Sequence, residues 1–307
     1  MKRILLLLLL SGITYTAIAC DICGCGAGSY YIGLLPEFKK KFIGLRYQHK
    51  LLRTHLGDGG AVSYLTTDET YRSTELWGAY NIGKRFRVLG LVPLNMIERI
   101  NQGQKTNKTG MGDVAVIGYY NLFSKRAMVL GNRMLVHSLW LGVGVKLPTG
   151  KYDPAEKNIG QNMQNNFQLG TGSTDIMLNA AYDVRVMDAG INTNLTYKIN
   201  TGNAYQYRYG NKLTLNTLAY YKFRLSRNCG LAPNAGVLYE TAERDLKNRN
   251  TWVEESGGYS LMASFGAEAY WKRVSIGINY QSPIAQRLAA GRVVSGNRAM
   301  VHLSIAL

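Results

Sequence analysis

The sequence predicts an all-β fold, an antiparallel transmembrane β-barrel of about 12 strands following a cleaved signal peptide. Three observations carry this. The first nineteen residues have the layout of an export leader. From about Lys40 onward, apolar residues alternate with polar or small ones at period two, as a sheet with one greasy and one wet face requires. The connections between these segments alternate between long and mostly short. Composition narrows the field. With 307 residues, 18% charged, 10% aromatic and six prolines, the chain is neither disordered nor collagenous, and a mean hydropathy of −0.12 with one apolar run excludes a helical membrane protein.

Taken in order, the leader places Lys2 and Arg3 before the apolar run from Ile4 to Leu10 and ends in Ala17-Ile18-Ala19, a small-residue cleavage site. The run is too short to cross a bilayer as a helix. The chain divides into a signal peptide (1–19), a Cys-rich segment (20–39) and a barrel (40–307). Cleavage would leave Cys20 first, as in a bacterial lipoprotein box, although Ala17 stands where such boxes usually carry Leu. Cys20 is therefore a candidate for lipidation. The segment from Asp21 to Lys39, with Tyr30, Tyr31 and Phe38, could plug the barrel or lie beneath it.

Strand segments are expected at about 40–52, 73–83, 86–98, 111–123, 134–148, 171–186, 190–200, 211–225, 230–241, 258–271, 274–286 and 298–307. In the clearest, Leu213, Leu215, Thr217, Ala219 and Tyr221 fall on one face and Thr214, Asn216, Tyr220 and Lys222 on the other. Such segments are long for a soluble sandwich, whose strands centre on about 5 to 6 residues, and suit a tilted bilayer crossing. An even count suits a bacterial barrel with both termini on one side. Trp77, Tyr119, Tyr120, Tyr182, Tyr220, Tyr221, Trp271 and Tyr280 lie near segment ends, as interfacial girdle residues do. Pro93, Pro148, Pro233 and Pro283 each remove a ladder donor, so bulges or kinks are expected there.

Three short motifs stand at segment ends: Gly110-Met111-Gly112-Asp113-Val114, Leu147-Pro148-Thr149-Gly150, and Gly170-Thr171-Gly172-Ser173-Thr174-Asp175-Ile176. Their spacing resembles the bacterial outer-membrane group described as MetA-pathway of phenol degradation proteins. That resemblance implies an outer-membrane barrel with a channel or transporter role for aromatic or other small molecules. The N-terminal cysteine cluster departs from the group's pattern and puts an aromatic solute in doubt. Physically, the glycines permit tight turns and close strand approach. The inward parity of Asp113 and Asp175 suggests hydrogen bonds to turn amides or to lumen bases, with contact to a solute as the alternative.

Parity places Arg46, Lys50, Lys146, Lys198, Lys222 and Arg224 inside with Glu75, Asp113, Asp175, Asp183, Glu240 and Glu268, a balanced lumen that salt bridges could plug or that could line a polar pore. A barrel of this strand number has limited width, so a narrow or plugged channel is expected rather than a wide porin. Cys20, Cys23 and Cys25 form C-x-x-C-x-C, and Cys229 falls in a turn on the side where the N-terminus emerges. Four thiols could meet a soft ion, copper or zinc. A disulfide, a lipid anchor or redox exchange are the alternatives.

The reading is a channel or transporter for a small solute. A barrel without transport activity is the alternative, and a lipase- or acyltransferase-like barrel enzyme lacks any Gly-x-Ser-x-Gly or convincing Ser and His pair. The formal charge of +17 concentrates in the short turns, where Lys84, Arg85, Lys125, Arg126, Arg133, Arg227, Lys272 and Arg273 stand against Asp188. The expected partners are outer-membrane lipid, the solute and an acidic periplasmic protein, not nucleic acid.

Overall fold

The computed structural model describes residues 41–129, 133–154 and 165–307; the leader, the cysteine cluster Cys20, Cys23 and Cys25, and the expected N-terminal plug lie outside the described residues. Twelve long strands form the wall: β1 Phe42–Thr54, β2 Thr67–Ile82, β3 Phe86–Asn101, β4 Ala115–Val129, β5 Arg133–Lys146, β6 Asp175–Val186, β7 Ala189–Ile199, β8 Lys212–Tyr221, β9 Cys229–Ala242, β10 Gly258–Trp271, β11 Val274–Leu288 and β12 Val294–Ala306. Each pairs antiparallel with its sequence neighbours, and β12 closes on β1 from Phe42↔Ala306 to Arg53↔Val294. A strand of about 12 residues, rising about 3.3 Å per residue and tilted about 40°, spans roughly 30 Å, the thickness of a bilayer core. Among the described residues no helix is long and apolar enough to cross a membrane.

Alternation sets the two faces. On β1, Ile43, Leu45 and Leu51 point out and are exposed, whereas Phe42, Arg46, Gln48 and Leu52 point in and are buried. Ile176, Leu178, Ile276, Ile278, Leu303 and Ile305 continue the outward apolar belt. This arrangement suits lipid, which takes the belt out of water while the ladders around the closed wall pair its amides. The short turns and both ends of the strand wall share one rim, where the Leu307 amide donates to the Lys41 carbonyl, and the long loops share the other. In an outer-membrane barrel these are the periplasmic and outer rims.

Three of the four prolines expected to disturb the ladder do so, and the fourth lies beyond a strand end. At Pro93, β3 stops pairing with β4 and takes up the hairpin strand Gln104–Met111 instead. Pro148 follows the end of β5. Pro233 marks the gap between the β8 pairing and its continuation Phe223–Ser226. Beside Pro283, the register of β11 against β10 shifts by one residue.

Several expectations need correction. Residues 124–133 are not a loop: β4 runs on to Val129 and β5 starts at Arg133, so Lys125 and Arg126 sit on a protruding β-hairpin. The strands β2 and β12 begin earlier than expected, at Thr67 and Val294. Three of the expected girdle residues, Trp77, Tyr119 and Tyr220, are buried inside because each shares the inward parity of its strand. Tyr182, Tyr221, Trp271 and Tyr280 do face outward.

Candidate functional site: the lumen and its two mouths

The interior is built in layers. At the outer end the three motifs converge on Asp113. Its carboxylate pairs with the Lys146 ammonium at 2.7 Å, accepts the Gly150 amide at 3.0 Å, and accepts both the amide and the hydroxyl of Thr171 at 2.8 Å. Lys146 also meets Asp175 at 2.8 Å and the Thr171 hydroxyl. Asp175 accepts from the Ser173 hydroxyl at 2.9 Å and the Thr201 amide at 3.1 Å. Asp113, Lys146 and Asp175 are all buried. Thr149 adds a second tie, accepting the Val114 amide at 2.9 Å and donating to the Gly112 carbonyl at 2.8 Å.

Glycine is required at the crossing. A Cβ on Gly170 would lie 2.4 Å from Asp113 Oδ1 and 2.6 Å from the Gly150 Cα, closer than a Cβ carbon sits to either. The two acids thus serve the turn amides and a lumen base together, knitting β4, β5, β6 and their loops into a clasp.

Above the clasp, residues 165–169 fold into the mouth. Phe167 is fully buried, its ring 3.9 Å from the Arg99 guanidinium and 4.7 Å from the Lys108 ammonium. Its carbonyl accepts from Lys108 at 3.1 Å, and Asn95 donates to the Leu169 carbonyl at 3.0 Å. Tyr71 donates to the Asn166 carbonyl at 3.3 Å and to Glu69 at 2.6 Å, and Arg99 pairs with Glu69 at 3.3 Å. Leu52, Ile97, Leu288 and Val293 pack around Phe167 and Leu169 as one apolar cluster. The segment packs into the outer mouth, and nothing in its local sequence marks it as inward-facing.

Below the clasp, Glu240 meets Lys212 at 3.0 Å and Arg298 at 2.6 Å. Lys50 shares a cavity of about 10 Å³ with Arg298 and Gln48, room for about one water. Arg46 pairs with Glu75, which also accepts from Gln48 at 3.0 Å. Trp77, Leu89, Ile117, Tyr119, Trp140 and Met177 form an apolar layer lower down. Asp183 accepts from the Tyr220 hydroxyl at 3.0 Å, and Lys198 and Glu268 are buried on β7 and β10. Lys222 lies at the periplasmic mouth, with its ammonium 5.2 Å from the Tyr220 ring. Arg224 is not inside: its side chain is 63% exposed at the rim, where it pairs with Asp188 at 2.7 Å.

Sequence parity also marks residues that the initial list omits. Lys212, Arg298 and Glu69 stand at or beyond the expected segment ends, and Arg87 shares the inward parity of Leu89. All four are buried. Cys229 opens β9, opposite Trp271, rather than lying in a turn. Among the described residues no group of three His, Cys, Asp or Glu side chains is placed to hold a metal ion.

Fold and lumen together define an outer-membrane β-barrel. The sequence profile of the family described as "Putative MetA-pathway of phenol degradation" matches residues 45–282, and the chain belongs to that family. Among solved structures it is similar to an outer membrane channel from Pseudomonas putida F1, with a TM-score of 0.58 and 12% identity over 90% of this chain and 100% of that one. It is also similar to the β domain of a Bordetella autotransporter, with a TM-score of 0.47 and 10% identity over 87% of this chain and 100% of that one. No curated protein sequence matches the chain.

Proposed function

We propose that the protein is a narrow, lidded channel for a small solute and has no enzymatic role. The observation that supports this best is the contrast within the lumen. Polar and charged side chains line the bore through much of its length, whereas the outer mouth is stopped by a short loop segment, residues 165–169, rather than by wall strands. A barrel needed only for structure could fill its bore with apolar side chains at lower cost, because burying ion pairs seldom gains stability over apolar packing. Passage requires the lid to leave, and its hold on the wall is a handful of hydrogen bonds and the Phe167 ring. Solute flux into proteoliposomes tests this. Phe167→Gly should raise the uptake of small sugars or phenols above wild type while the barrel stays folded. Equal flux from both, at the level of empty liposomes, would favour the barrel without transport, a reading that the densely packed interior itself supports.

Two finer assignments belong to the same proposal. Cys20, Cys23 and Cys25, with Cys229 at the periplasmic end, form a soft-metal site for copper or zinc, or Cys20 carries lipid. Metal content of the mature protein before and after Cys23→Ser and Cys25→Ser decides the first, and loss of labelled fatty acid on Cys20→Ser the second. The basic periplasmic rim, including Lys125, Arg126 and Arg133 on the hairpin, suits an acidic periplasmic partner or lipid phosphates.

A further inference from the structure

The periplasmic mouth is unlike the rest of the interior. It opens into a cavity of about 370 Å³, within the range of small-molecule sites. Six of the described lining residues are basic: Arg185, Lys222, Arg224, Arg227, Lys272 and Arg273. None of them is acidic, and Asp188, just outside the lining, pairs with Arg224 at 2.7 Å. Higher in the bore, each cation described in an ion pair has a buried carboxylate: Arg46 has Glu75, Lys146 has Asp113 and Asp175, and Lys212 and Arg298 share Glu240. At the mouth the described lining itself carries no carboxylate.

A space of about 370 Å³ has a radius of roughly 4 to 5 Å, which is shorter than the Debye length of about 8 Å at physiological salt. The six cations therefore act on the cavity as a group, and their mutual repulsion falls when an anion enters. Four of them are guanidinium groups on different elements: Arg185 on β6, Arg224 on the strand Phe223–Ser226, Arg227 in the turn before β9 and Arg273 in the turn before β11. Groups so placed can donate to one oxyanion from several sides, the geometry in which arginine is most selective. The Phe42 and Tyr270 side chains on the same wall offer apolar surface to the body of an organic anion.

We infer that this vestibule is a binding site for a small oxyanion, a carboxylate or phosphate group carried by a solute. The site rests on charge and cavity alone and holds whether or not the barrel conducts, so its test is an equilibrium measurement. The full mature protein is placed in nanodiscs of zwitterionic lipid, and calorimetry measures benzoate, inorganic phosphate and the uncharged isostere benzamide. Benzoate or phosphate should bind and benzamide should not, with affinity falling as salt rises; whichever anion binds tighter identifies the carboxylate or the phosphate as the group held. Lys222→Gln combined with Arg227→Gln should weaken the anion about tenfold or more, the scale of a lost charge-assisted contact. Heat-modifiable migration on gels checks that this variant is folded. Equal binding of benzamide and benzoate, or anion affinity unchanged in the double variant, would overturn the proposal. So would binding seen only after Asp21→Asn and Glu37→Gln, which would give the vestibule to the chain's own N-terminal segment.

Discussion

The outer and periplasmic ends of this barrel are built from the same residue types and put to opposite use. At the outer end the buried charges of the clasp and mouth are matched: Asp113 and Asp175 hold Lys146 between them, and Glu69 holds Arg99 beneath the Phe167 ring. At the periplasmic end six basic side chains line open space with no acid in the described lining, and Asp188 beyond it pairs with Arg224. The difference teaches that neither burial nor charge by itself marks a binding site. Buried charges that satisfy one another make structure, and charges of one sign left facing a cavity make a place for something else.

The sharpest way to break the contrast is Asp113→Ala. It strands Lys146 beside a single acid and leaves the Gly150 and Thr171 amides without their acceptor. Removing one partner of a buried pair costs about 3–5 kcal/mol, so urea titration of the reconstituted barrel should show a loss of that order. Next is a pH effect at the same end. His55, in the loop after β1, is held down to a pKa of about 4, first by burial and then by the nearby Arg99 charge. Because its folded pKa lies below the ordinary 6.5, the folded state binds fewer protons than the unfolded one. Its contribution is complete above about pH 6.5 and is lost as pH falls toward 4, amounting to up to about 3 kcal/mol. Thermal melts across that window should show the decline, and His55→Asn should flatten it.

A smaller effect is expected for Gly170→Ala, whose methyl group meets the Gly150 backbone and the Asp113 carboxylate and should cost about 1–3 kcal/mol through overpacking. Last comes Arg224→Ala at the other end. This exposed pair with Asp188 should contribute less than about 1 kcal/mol, so denaturation should scarcely move. A large loss there would mean that the periplasmic charges are structural after all, and the contrast between the ends would fail.

Much of this was readable in the chain. Period-two alternation is a local property, and it fixed which side of the wall each residue occupies: Glu75, Asp175, Glu240 and Glu268 were legible as inward because their neighbours Leu76, Ile176, Tyr239 and Ala267 or Ala269 had to face lipid. The same rule applies to Lys212 and Arg298, which fall at the ends of the expected segments 211–225 and 298–307, and reaches Glu69 once the segment at 73–83 extends back to Thr67. It also would have moved Trp77 and Tyr220 from the interface to the bore, where parity, not aromatic character, put them. The hairpin past Asn121 was harder, since the bulge between Asn121 and Phe123 reverses the alternation that marks a strand.

The sequence by itself determined the class of fold, the strand number, the topology and most of the inward charges, with Arg224 the exception, because membrane crossing demands alternation and short turns that every segment must display. Tertiary structure alone decided which charges meet. Glu240 is shared by Lys212, its neighbour on β8, and by Arg298, which stands on β12 with β10 and β11 between, and residues 165–169 are held in the mouth by contacts to β1, β2 and β3. Such partners are set by the curvature that closes the barrel and carries distant strands to face one another across a narrow bore, and no local pattern encodes that distance. The uneven charge of the two mouths came from the same source, as turns far apart in the chain were gathered on one rim.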